Sequence, residues 1–200
     1  MASSRPLTIP FTLTDIDVGS RLYEALAQHA KATNGAAITY EDLLALARHL
    51  HPRDATLGRA VPVGIGKKLR FIEGFCASYG YPDLACLAVN KLNMRPSAAY
   101  EGDWEADRLA VGAFDWAGVS KKLDVHAAQA RATVPPRFKL RKERPADVAW
   151  YAYFCSHREA CVKVTGDDKK EIINLLMAGL DPETALQEVQ AAKKELELPN

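Results

Sequence analysis

Cys155, His157 and Cys161 fall within the seven-residue string Cys155-Ser156-His157-Arg158-Glu159-Ala160-Cys161, and thiolate with imidazole is the ligand chemistry that zinc prefers. A fourth ligand is missing locally, so the fold would have to bring in His126, Cys76 or Asp167. Without one, the string reads as two half-buried thiols and a surface histidine, and no metal or other cofactor is expected. Gly64-Ile65-Gly66-Lys67-Lys68 stands at the start of an expected helix, where unpaired backbone N–H groups with ammonium groups beside them can hold a phosphate. It has neither P-loop spacing nor the full dinucleotide fingerprint, so the anion expected there is a DNA phosphate and not a nucleotide. The carboxylates show no pairing suited to acid–base catalysis, and His49 and His51 at a helix end are explained by the helix dipole. No enzyme is expected.

What remains is charge. The net charge of +1 argues against a general polyanion binder, so any nucleic-acid contact must be a local patch. Residues 121–144 hold eight Lys and Arg against two acids, and end in the basic string RFKLRKER. Residues 101–107 hold Glu101, Asp103, Glu105 and Asp107 and no base. Cys76, Cys86, Cys155 and Cys161 are too few and too irregularly spaced for a disulfide scaffold, which suits a reducing compartment. No apolar run approaches a membrane span, and residues 1–19 lack the pattern of a secretory signal. A cytoplasmic protein with no membrane partner is therefore expected.

The elements that must position these residues read mainly as helices. A first helix is expected to start after Asp17 or Ser20 and to end at Asn34-Gly35. Thr39 caps a second over YEDLLALARHL, and Pro52 stops it. Residues 54–61 suit a short helix, and 67–79 a longer one that turns Lys67, Lys68, Arg70 and Glu73 toward water. The run LACLAV, residues 84–89, is apolar and bounded by turns, which suits a buried strand, and Asn90 to Ser97 then form a wing. Leu43, Leu46, Leu50, Leu69, Ile72, Phe75, Leu84, Leu87 and Val89 are the expected core of this unit. A helix is expected over 103–116, although Gly112 weakens it. Residues 119–147, basic and proline-containing, read as a linker or arm. Beyond it come a helix with a short strand and a final hairpin whose second helix starts at Asp181-Pro182.

Residues 38–92 resemble the DNA-binding domain of alkylguanine-DNA alkyltransferases and alkyltransferase-like proteins, through the strings ITYEDLL, PRDATLGRAV and LAVN. With Phe114-Asp115-Trp116 downstream, the pattern also resembles small bacterial and phage proteins of unassigned function. The resemblance implies a winged helix-turn-helix. It does not extend to the chemistry: no PCHR string is present, Cys86 is one residue out of register, and Thr56 or Leu57 stands where the minor-groove arginine would fall.

The reading is therefore a mainly α fold with a small sheet (α+β). A winged-helix-like domain spans 1–118, a basic arm 119–147 and a C-terminal helical region 148–200. The expected function is non-enzymatic binding of double-stranded DNA through Arg53, Arg59, Lys67, Lys68, Arg70, Lys91, Arg95, Arg137, Lys139, Arg141 and Lys142. The alternative is a protein-binding adaptor or inhibitor from a phage or other mobile element, using the acidic 101–107 surface and the C-terminal hairpin.

Overall fold

The first half is built on helix α1 (Leu13–Thr33). The helix begins one to two turns earlier than expected, because the Thr12 hydroxyl accepts the Asp15 N–H at 3.1 Å while the Asp15 carboxylate accepts the Thr12 N–H at 3.0 Å. A cap of this kind is worth about 1 kcal/mol. Ser20 lies inside the helix instead and donates to the Ile16 carbonyl. Asn34 ends it in the left-handed conformation, at φ 54°. The computed structural model describes residues 10–97, 100, 102–136 and 138–197.

Thr39 and Asp54 cap α2 (Tyr40–Leu50) and α3 (Ala55–Arg59), and α4 (Ile65–Tyr79) runs to Gly80 at φ 66°. Helix α4 lays Phe71, Ile72 and Phe75, all fully buried, against α1. The run 84–89 divides where one strand was expected. The Asp83 carboxylate accepts the Ala85 N–H at 3.0 Å and starts a 3₁₀ turn over Leu84–Leu87. Only Ala88–Val89 is left as strand β2, which pairs in parallel with β1 (Ile38–Thr39). Residues 91–94 then form a turn closed by an antiparallel bridge between Asn90 and Arg95. Of the nine residues expected in this core, Leu46 and Leu50 are half-buried and the other seven are buried.

Helix α5 (Trp104–Ala113) carries Gly112 for a packing reason: a Cβ there would lie 2.5 Å from the Asn34 carbonyl oxygen, so α5 rests backbone to backbone on the end of α1. The expected arm is the largest difference. Residues Ser120–Ala132 form helix α6, which buries Leu123 and Ala127 on α1 and pairs Arg131 with Asp17 at 2.7 Å. Among the described residues of this stretch only 133–136 and 138–142 lack helix, and within them Phe138 is buried. The period-3.6 signal of α6 is weak because Lys121, Lys122, Asp124 and Gln129 surround a narrow stripe of Leu123 and Ala127.

Helices α7 (Glu143–Ser156), α8 (Gly166–Met177) and α9 (Pro182–Glu197) form the second half. The short strand expected after α7 is a 3₁₀ turn over Arg158–Cys161. The second core contains Trp150, Ile172, Leu176 and Leu186, together with Val61 and Val63 supplied from the first half. The architecture is thus mainly helical with one small parallel sheet. No helix among the described residues is long and apolar enough to cross a membrane.

Candidate functional site

The lysines of Gly64-Ile65-Gly66-Lys67-Lys68 already face anions supplied by the chain itself. Lys68, expected at the surface, is 3% exposed, with Nζ 2.7 Å from the Gly64 carbonyl, 3.1 Å from Glu171 Oε1 and 3.3 Å from Asp15 Oδ1. Gly64 has no room for a side chain, since a Cβ would lie 2.0 Å from Glu171 Cδ. The carboxylate of Glu171 therefore occupies the place beside this helix start where a phosphate was expected. Burial alone would depress the Lys68 ammonium, but Glu171 and Asp15 together hold it above the ordinary lysine value. Lys67 pairs with Glu188 at 2.6 Å and Arg70 with Glu195 at 2.9 Å. These three bases bind the second half of the molecule to the first.

A different set of bases does converge. An open cleft of about 1150 Å³ separates the end of α3 from α7 and α8, lined by Arg48, Arg59, Arg144, Lys169 and Lys170 against only Glu143 and Asp147. Helix α3 is fixed as one wall: Arg48 donates to the carbonyls of Leu57 and Ala60, and the Asn174 amide donates to the Arg59 carbonyl at 3.1 Å. Asn174 also donates to Glu171 at 3.1 Å, which ties this wall to the buried ion cluster. Across the cleft, Lys169 pairs with Asp147 at 3.1 Å and Lys170 with Asp167 at 2.8 Å. Arg59 and Arg144 make no ion pair among the described residues. The cleft thus offers two uncommitted guanidinium groups and an excess of positive charge, the arrangement that phosphate oxygens favour.

Of the eleven residues expected at a DNA interface, Arg59 lines the cleft. Arg53 lies exposed in the α2–α3 turn, and Lys142 immediately precedes the lining residues Glu143 and Arg144. Lys91 is exposed in the 91–94 turn. Arg95 lies elsewhere, with its guanidinium 4.7 Å from the centre of the Trp104 ring. Lys139 and Arg141 are exposed on the segment before α7, where the Arg141 N–H bonds the Met177 carbonyl at 2.7 Å. Arg137 lies outside the described residues. Sequence reasoning missed Arg48, Arg144, Lys169 and Lys170. Arg48 lies in the last turn of α2, where the helix dipole alone accounts for a cation, and the Lys169-Lys170 doublet carries no sign in the sequence of what it faces.

The acidic stretch is engaged internally. Asp103 caps α5, Glu105 pairs with Arg108 at 2.8 Å and Asp107 accepts from the Tyr100 hydroxyl; Glu101 lies outside the described residues. Burial pushes the Cys86 thiol well above its ordinary range, with Asp83 and Asp107 adding to the effect, so it carries no nucleophilic thiolate. Cys155 is exposed while Cys161 is buried, and His157 stacks on Tyr153 at 4.1 Å. Among the described residues no three His, Cys, Asp or Glu side chains are grouped to hold a metal ion. The chain matches no protein-family model, and no curated protein or solved structure is significantly similar to it.

Proposed function

We propose that the chain is a non-enzymatic DNA-binding protein that takes a phosphate backbone along the cleft between α3 and the α7–α8 pair. The observation that carries this reading is the convergence of five cations from four helices on one cleft, in a protein whose net charge is only +1. Contacts to phosphate set affinity and orientation and need no sequence readout. In this reading α2, α3, α4, β2 and the 91–94 turn make a winged-helix-like unit, with the α2–α3 turn presenting Arg53 and the end of α3 presenting Arg59. The parallel pairing of β1 with β2 departs from the antiparallel ribbon that a wing extends.

Fluorescence anisotropy of a random duplex, titrated at several salt concentrations, tests the proposal. Non-specific binding of this kind has a Kd of about 1–100 μM at physiological salt and weakens as salt rises. Arg59→Ala and Arg144→Ala are each expected to reduce the salt slope by about one unit per lost phosphate contact. Lys91→Ala, in a turn that does not line the cleft, should leave it unchanged. Absence of binding at low salt, or a slope that ignores both arginines, would overturn the reading.

A further inference from the structure

Helix α7 is apolar on two opposite sides. Ala146 and Trp150 are buried against the second core, whereas Val148, Tyr151, Ala152 and Cys155, spaced i, i+3, i+4 and i+7, all lie exposed along the outer side. Val148 and Tyr151 keep 62% and 68% of their surface. No Lys, Arg, Asp or Glu occurs from Val148 to His157. A helix without a polar face is ordinarily covered on both sides, and an uncovered apolar stripe on a rigid element marks an interaction site.

Charge says what covers it. The residues before the stripe, 139–147, carry Lys139, Arg141, Lys142 and Arg144 against Glu143 and Asp147, and those at 158–163 carry Arg158 and Lys163 against Glu159. Both ends are net positive and exposed. A second copy of this chain, laid across the stripe in either direction, would bring one basic end onto another, which opposes association. An anionic lipid surface would want bulky side chains turned outward. Here the largest apolar side chain of the helix, Trp150, is turned inward at 4% exposure, Phe154 keeps only 38% of its surface, and Tyr151 is the one aromatic ring in the outer row. The side chains of Val148, Ala152 and Cys155 are short enough for another helix to approach closely beside Tyr151.

We propose that the outer face of α7 docks an acidic amphipathic helix from a partner protein, whose apolar side chains lie on Val148 to Cys155 and whose carboxylates reach the basic residues at either end. The stripe itself lies outside the DNA cleft, which uses Glu143, Arg144 and Asp147 at the start of α7, so the two surfaces share Arg144 and no residue of the stripe.

Cys155 supplies the readout. It forms the C-terminal end of the stripe and is exposed, whereas Cys76, Cys86 and Cys161 are buried. The rate of its alkylation by iodoacetamide, followed by intact mass on the full chain, is measured with and without a synthetic amphipathic helix of Leu and Glu. At a peptide concentration about ten times its Kd, alkylation should slow by about tenfold. Val148→Glu combined with Tyr151→Glu, both at exposed positions, should abolish the protection relative to the variant's own unprotected rate and leave the unfolding midpoint unchanged. Arg158→Glu should weaken the protection and its salt sensitivity. Lack of protection by the acidic peptide would overturn the proposal, as would equal protection by a Leu/Lys peptide. Protection by phosphatidylserine vesicles or by duplex DNA without protection by the peptide would assign the face to those ligands, and slowing with protein concentration alone would assign it to a second copy.

Discussion

Lys68 is the one cation that Asp15 and Glu171 share, and each of the three residues comes from a different helix. Lys68→Met should therefore destabilise by about 3–5 kcal/mol, the usual consequence of leaving buried charge without its partner. Urea denaturation checks this, and adding Asp15→Asn and Glu171→Gln should recover most of the loss. Gly64→Ala acts on the same carboxylate through a clash with Glu171 and should cost about 1–3 kcal/mol. The same residues show what the sequence discloses at this scale. Paired glycines, a helix start and two lysines say that an anion belongs beside Gly64. Nothing local says that the anion is Glu171, whose bond to Lys68 spans 103 positions. Cys86 was more legible, since its neighbours in ACLAV already lacked any group able to stabilise a thiolate.

Helix ends were readable wherever a cap stood next to a hydrophobic period. Thr39, Asp54, Gly80 and the Asp181-Pro182 pair mark their boundaries through short-range hydrogen bonds that need no tertiary partner. The apolar run 84–89 was not, because a short buried stretch has no periodicity to separate strand from 3₁₀ turn. Helix α6 was missed for a related reason, being mostly polar and held by contacts with α1. Limited trypsin digestion should accordingly cut within 139–144 well before Lys121, Lys122 or Arg131; early cleavage inside 120–132 would contradict a docked α6. The cap of α8 carries a pH dependence. Burial alone would raise the Asp168 carboxyl, but the Lys193 ammonium and the Thr165 cap hold it below its ordinary value. The unfolded chain then takes up the proton more readily, so this stabilisation is present above about pH 4 and is lost as the pH falls through the lower folded value. Asp168→Asn should remove stability at pH 6 and make the urea midpoint less dependent on pH below about 4.

At the scale of the whole molecule, the two halves are joined by more than a connecting segment. Val61 and Val63 sit in the second core, the Lys68 cluster crosses between the halves, and Lys67 and Arg70 pair with acids of α9. Urea unfolding followed by far-UV circular dichroism and by fluorescence should therefore give coincident transitions, the mark of a single cooperative unit. Lys68→Met should separate them. Phe75→Ala, which hollows the first core at a fully buried position, should cost about 3–5 kcal/mol and shift both transitions together.

The tryptophans are distributed so that each half carries its own optical signature. Trp104 packs against the guanidinium groups of Arg95 and Arg108, at 4.7 and 4.8 Å from its ring centre, and donates its indole N–H to the Cys86 carbonyl. Trp116 sits edge-on to Tyr23 against the first core, and Trp150 alone belongs to the second. Replacing Trp150 with Phe silences one half, and replacing Trp104 and Trp116 with Phe silences the other. The intact chain thus contains a pair of native reporters, whose emission can reveal which half a ligand has touched without any added dye.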